Sequence, residues 1–138
     1  MKPIGFWLNR ADRAITAYFD RRLAAFGLTR LAWQALNVIR AEPEATETRI
    51  HAELEANADR ETRLAALDLI LTTGWAERTG AGLSLTAFGR DRHDEVTAAV
   101  AGFRADSMTG ITPDEYRTAV TVLERMTLNL EPLVGGNE

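Results

Sequence analysis

The sequence has no cysteine among its 138 residues and only two histidines. Disulfides and thiolate metal sites are thereby excluded, and His51 and His93 cannot build a structural metal site on their own. Asp91, His93, Asp94 and Glu95 offer nitrogen and oxygen ligands, but adjacent residues on a helix point in different directions, which favours a solvated charged stretch. No apolar run approaches the length needed to cross a bilayer, so no membrane partner is expected. No Ser-His-Asp set or paired carboxylate stands out, and neither an enzyme activity nor a cofactor is expected. The start, Met1 to Trp7, runs within a few residues into Asn9, Arg10, Asp12 and Arg13. Those residues interrupt any signal-peptide core, and a cytoplasmic location is the expectation. There is no internal repeat and no low-complexity segment.

What is present suits one globular domain: 46 % hydrophobic and 26 % charged residues over a length that leaves no room for a second full core. The net charge of −4 weighs against nucleic acid, yet its distribution is uneven. Residues 1–40 carry seven bases and two acids, whereas residues 41–138 carry nine bases and eighteen acids. A net-acidic chain can still present a local basic surface to phosphates.

Apolar residues at Ile4, Leu8, Ala11, Ile15, Phe19, Leu23 and Phe26 step by three and four, describing one face of a long helix that Gly27 ends. Thr29 is a candidate N-cap for a second helix burying Leu31, Ala35, Leu36 and Ile39, with Pro43 as its boundary. A third helix is predicted over Thr46 to Glu55 with Ile50 and Leu54 inward. Asn57-Ala58-Asp59 reads as a turn, with Asp59 capping a fourth helix that buries Leu64, Leu67, Ile70 and Leu71 before Gly74. Two short extended pieces follow, Trp75 to Arg78 and Leu83 to Leu85, joined by the turn Thr79 to Gly82. Thr86 opens a helix running past Phe88, Val96, Val100 and Phe103 to a turn at Thr109-Gly110. Thr112-Pro113-Asp114-Glu115 carries a capping residue, Pro at the first helical position and Glu three residues after the cap. The last helix shows Tyr116, Val120, Leu123, Met126 and Leu130, and Gly135-Gly136-Asn137 reads as a frayed tail.

The expected fold class is mainly α with a small β-hairpin wing, a winged helix-turn-helix flanked by long helices. Across nearly its whole length the chain resembles the MarR family of bacterial transcription regulators. Asp59-Arg60-Glu61-Thr62 resembles the start of that family's recognition helix, and Gly74-Trp75-Ala76-Glu77-Arg78 its lead into the wing. Leu85-Thr86-Ala87-Phe88-Gly89 matches its L-T-x-x-G, and Gly110-Ile111-Thr112-Pro113-Asp114-Glu115 resembles the G-L-T-x-E-E of its final helix. The resemblance implies one MarR-like domain, with dimerisation helices over 1–27 and 87–134 and a winged helix-turn-helix lobe over 28–86. It departs from the family in a short wing, in Arg63 where an apolar residue is common (Leu64 taking the inward role), and in charge. Residues 59–92 hold five bases and five acids, a nearly neutral reading surface.

The resemblance implies a DNA-binding regulator, usually a repressor, that acts as a homodimer on a pseudo-palindromic operator and responds to a small-molecule effector. Arg60, Thr62 and Arg63, with Ala66 one turn on, would meet base edges in the major groove. The bland alternative is a solvated helix face, and the order of helices favours DNA over it. Arg78 at the wing would reach a phosphate or the minor groove, or is simply a surface Arg beside Glu77. Arg30 and Arg49, near helix starts, are further phosphate candidates. Tyr18, Phe19 and Trp33 would stack on a small aromatic effector, with core packing at helical spacing as the competing account. Ile4, Trp7, Leu8, Leu123, Met126 and Leu130 would form the dimer interface. The alternative function is a MarR-like ligand-sensing or protein-interaction module with weak or lost DNA binding.

Overall fold

The structure, a computed structural model, describes residues 1–135. The chain divides into two compact units, residues 1–101 and 102–138.

The first unit begins with α1 (Ile4–Leu23), which tightens into a 3-10 turn at Ala24–Phe26. Gly27 ends it in the left-handed region, φ 72°, where a residue without Cβ meets no steric penalty. Next come α2 (Arg30–Ala41), β1 (Ala45–Thr46), α3 (Glu47–Leu54) and α4 (Arg60–Thr72). The wing strands β2 (Ala76–Thr79) and β3 (Gly82–Leu85) lead into α5 (Ala87–Val100). Side-chain caps set the helix starts as the sequence predicts at Thr29, Asp59 and Thr86, and Thr46, expected inside its helix, is a cap as well. Thr29, Thr46, Asp59 and Thr86 each accept a hydrogen bond from the backbone N–H three residues on, satisfying a donor that the helix itself leaves unpaired.

These elements surround one core. Leu23, Leu36, Ile39, Ile50, Ile70, Leu83 and Val96 are fully buried, so α1 through α5 and the sheet each contribute to it. In β3 the pleat sends Leu83 and Leu85 inward, while Ser84 bonds to Thr79 across the hairpin at 2.7 Å.

The second unit holds α6 (Phe103–Ser107) and α7 (Pro113–Val134). The capping box predicted at Thr112 and Glu115 is formed, with bonds of 2.9 and 3.1 Å. No residue of α7 is buried: Tyr116, Val120, Leu128 and Leu130 are exposed, while Leu123 and Met126 are half-buried.

Four features differ from the sequence expectations. The sheet has three strands in the order β1-β3-β2, because Ala45 and Thr46 pair antiparallel with Leu83 and Gly82. The two-residue strand β1 is too short for any periodicity to announce it. The helix after the wing stops at Val100, and residues beyond Gly102 form the separate α6. Leu64 does not take the inward role: it is 43 % exposed, and Ala66, Leu67 and Ile70 form the buried face of α4. In the tail, Gly135 caps α7, while Gly136 and Asn137 lie outside the described residues.

Candidate nucleic-acid interface

Helices α3 and α4, joined by the turn over residues 55–59, form a helix-turn-helix with the β2–β3 hairpin following as the wing. Asp59 starts α4 by accepting from the Thr62 N–H at 2.8 Å, and these bonds from Thr62 hold its carboxyl below the usual carboxylate range. Arg60, Thr62 and Leu64 are exposed at the start of α4, and Arg63 is half-buried. Ala66 requires a correction. It is 5 % exposed and part of the core, so it presents no surface to a base edge.

Arg63 is held at two of its guanidinium nitrogens. Nε donates to His51 Nδ1 at 3.1 Å, and Nη1 donates to the Ala58 carbonyl at 3.3 Å. Arg63 thus ties α4 to α3 and to the turn between them. Burial, then the positive charges of Arg63 and Arg60, lower the pKa of His51 and keep its ring neutral as an acceptor. A groove of about 370 Å³ opens here, lined by Glu47, Thr48, His51, Ala52, Glu55, Arg60, Arg63 and Leu64.

The other predicted phosphate contacts are each paired within the chain. Arg78 of the wing forms an ion pair with Glu47 at the start of α3. Arg49 pairs with Glu42 at 2.9 Å and with Glu53, one turn further along α3. Arg30 donates to Thr16 Oγ1 at 3.0 Å and lies 3.8 Å from Asp12. Arg60 has no ion-pair partner among the described residues. The pairs of Arg49 and Arg78 are exposed, so solvent screens them and a phosphate can compete for the arginine, whereas Arg30 is half-buried.

A second cleft of about 430 Å³ lies between α1, α2 and the turn before α4. Its lining is largely polar, including Asp12, Thr16, Asp20, Arg30, Gln34 and Asn57, and it reaches Thr62 of α4. Tyr18, Phe19 and Trp33 do not line it. Tyr18 and Phe19 are half-buried on α1, with Phe19 packed against the core. Trp33 is 7 % exposed and stacks on His93, ring centroids 4.4 Å apart.

His93 itself is a core residue. Its Nδ1 accepts from Arg40 Nη1 at 3.1 Å, so Nε2 carries the proton and donates to Asn37 Oδ1 at 2.7 Å. Arg40 also bonds to Asp94 at 2.8 Å, and Arg92 to Glu95 at 2.9 Å, so the charged run over 92–95 is engaged in ion pairs and packing, while Asp91 is exposed. Among the described residues no group of three or more His, Asp or Glu is placed to hold a metal ion. No helix among them is long and apolar enough to cross a membrane. Sequence reasoning missed His51, Leu64 and Glu47 as parts of the α3–α4 surface. His51 lies twelve positions before Arg63, and only the angle between the two helices brings them together.

No protein-family model matches the sequence, and no curated protein does. Solved structures do match. The transcriptional regulator PA3341 is 26 % identical over 94 % of this chain and 99 % of its own, with a TM-score of 0.77. The transcriptional repressor CouR, bound to p-coumaroyl-CoA, is 25 % identical over 91 % of both chains, with a TM-score of 0.75. A Mycobacterium tuberculosis MarR-family protein, Rv2887, in complex with DNA, is 21 % identical over 91 % of this chain and 98 % of its own, with a TM-score of 0.70. At that last identity the likeness concerns the fold alone. The capped helix-turn-helix, the short wing and the flanking helices make this chain a MarR-type winged helix-turn-helix protein in fold, and its structural neighbours are transcriptional regulators of that family.

Proposed function

We propose that the protein is a DNA-binding transcriptional regulator that acts as a homodimer, represses by occupying a pseudo-palindromic operator, and responds to a small-molecule effector. The observation that carries this reading is the N-terminal turn of α4 inside the MarR-type fold, where Arg60, Arg63 and Leu64 line one groove and Thr62 is exposed between them in sequence, at the edge of the neighbouring cleft. Arg can donate two hydrogen bonds to guanine, and Thr or an apolar side chain can meet a thymine methyl. Arg78, Arg30 and Arg49 would supply phosphate contacts once their carboxylate partners are displaced.

A homodimer would place two α4 helices on half-sites about one helical turn apart. Two exposed apolar faces motivate it. Ile4, Trp7 and Leu8 on α1 are 45, 52 and 43 % exposed, and Leu130 on α7 is 54 % exposed, with Leu123 and Met126 beside it on that helix. Such apolar area left in water favours association. For the effector, we assign the cleft between α1, α2 and the turn before α4, since a ligand there would touch both Arg30 and Thr62. Its lining suits a polar or charged compound better than a purely aromatic one; Tyr18 and Phe19 remain the aromatic candidates on α1.

The second reading, a ligand-sensing or protein-interaction module with weak DNA binding, is favoured by the carboxylates already paired with Arg30, Arg49 and Arg78. Selection of bound sequences from a random duplex pool at low salt, followed by footprinting, separates the two. Recovery of a two-fold related sequence supports the regulator. Failure to enrich any sequence, with the effector cleft intact, supports the second reading.

A further inference from the structure

Arg63 differs from every other arginine of the α3–α4 surface in being held by a titratable neutral group. Its Nε and Nη1 each donate one bond, to His51 Nδ1 and the Ala58 carbonyl, which leaves three of its five N–H donors uncommitted on a half-exposed side chain that lines the groove. Two bonds at separate nitrogens fix the plane of the guanidinium as well as its position. Bidentate recognition of a base requires such a fixed plane, whereas a phosphate contact tolerates a mobile charge.

We infer that His51 is a positioning residue for sequence reading: in its neutral form it locks the Arg63 fork toward the DNA, and its protonation releases that fork. This rests on the DNA-binding reading and adds to it a residue on the preceding helix and a dependence on pH. The chemistry follows from the acceptor count. A neutral imidazole with Nε2 protonated offers Nδ1 to Arg63; the imidazolium has no acceptor and repels the guanidinium. The charged groups that share the groove of His51 are Arg60 and Arg63 from α4, Glu47 from its own helix and Glu55 just after that helix, with Glu47 paired to Arg78 of the wing. The two cations oppose protonation of the ring. Losing the lock leaves Arg63 charged, so general attraction to phosphates survives while discrimination between sequences falls.

The test measures the ratio of affinities for a duplex selected from a random pool and for its scrambled version, by fluorescence anisotropy between pH 7.5 and 5.5. Wild type is expected to lose discrimination as the pH falls, by at most about tenfold per pH unit for each His51 and so about a hundredfold for the homodimer with two of them. His51→Asn places an oxygen where Nδ1 stands and cannot titrate in this range. It is expected to keep the wild-type ratio at pH 7.5 and to show a flat profile. His51→Leu removes the acceptor in both protomers and is expected to lower the ratio at least about fivefold at every pH, one bidentate base contact being worth about fivefold to a hundredfold. The inference is overturned if His51→Asn keeps the wild-type pH profile, or if His51→Leu discriminates as well as wild type. A wild type that binds selected and scrambled duplexes equally at pH 7.5 overturns the DNA-reading role itself, a distinct result.

Discussion

Gly89, in the first turn of α5, packs directly beneath the carbonyl of Trp75: a Cβ built on Gly89 would overlap the Trp75 oxygen and carbonyl carbon. Thr86 fastens the same corner. Its hydroxyl donates to the Gly74 carbonyl at 2.5 Å and accepts from the Gly89 N–H at 2.9 Å, while its own N–H donates to the Trp75 carbonyl at 3.1 Å. The Gly-Trp that enters the wing and the Leu-Thr-x-x-Gly that leaves it are therefore two halves of one joint.

Gly89→Ala is expected to destabilise the protein by ~3 kcal/mol or more, the upper end of overpacking costs, because the clash is with backbone rather than a movable side chain. Thr86→Ala is expected to cost about 1 kcal/mol through loss of the cap. Urea unfolding at neutral pH checks both, and a Gly89→Ala protein as stable as wild type would contradict the packing.

Leu64 and Ala66 are expected to behave oppositely. Leu64→Ala should leave stability within about 0.5 kcal/mol, as for an exposed site, and weaken binding to selected DNA. Ala66→Leu should cost about 1–3 kcal/mol by crowding the core. Paired unfolding and anisotropy measurements separate the two, and a destabilised Leu64→Ala would mean that this side chain packs inward after all.

Under the proposed function, Glu47 would compete with DNA for Arg78, with which it forms an ion pair. Glu47→Gln is expected to raise DNA affinity, both by freeing Arg78 and by removing a negative charge from the surface. Arg78→Ala is expected to weaken binding to all sequences alike and to reduce the salt dependence by about one phosphate contact. Stability should change little in either variant, since an exposed pair contributes about 0–1 kcal/mol. If Glu47→Gln binds DNA no better than wild type, the wing arginine does not reach phosphate.

Acid is expected to destabilise the fold partly through His93. Burial, and then the charge of Arg40, lower its pKa, against a smaller opposing effect of Asp94. The unfolded chain therefore takes up the proton first, at the ordinary imidazole pKa of about 6.5. Stability falls as the pH drops below that value and levels off once the folded form is also protonated. Urea midpoints from pH 7.5 to 5.0 should show a shallower decline in His93→Gln, and a shallower one still when His51→Asn is added. Equal slopes in all three proteins would sink this assignment.

Sedimentation of the wild type is expected to give a dimer, and Trp7→Glu and Leu130→Glu are each expected to shift it toward monomer. Both residues are exposed, so neither change should unfold the monomer. A wild type that sediments as a monomer at high concentration would remove the dimeric operator model.

Much of the fold was legible along the chain because helix starts are local chemistry. Thr29, Asp59, Thr86 and Thr112 cap their helices through bonds to residues three positions away, and Gly27 ends the first helix by its own backbone freedom. The strand β1 was not legible, since two residues carry no period and pair only because the hairpin comes alongside. The inward face of α4 was misjudged at Leu64 because Ala66 is small: its hydrophobic signal is weak, yet a small residue is what close packing admits there.

The site divides in the same way. Sequence alone determined which residues are chemically able to meet DNA, and that Arg60, Thr62 and Arg63 stand at a capped helix start, because type and spacing are properties of the chain. Tertiary structure decided which of them remain available. The crossing of α3 and α4 brings His51 to Arg63, the hairpin carries Arg78 to Glu47, and the core takes Ala66 out of reach. Those pairings join residues twelve and thirty-one positions apart, and no local pattern encodes a contact that exists only once the helices and strands have packed.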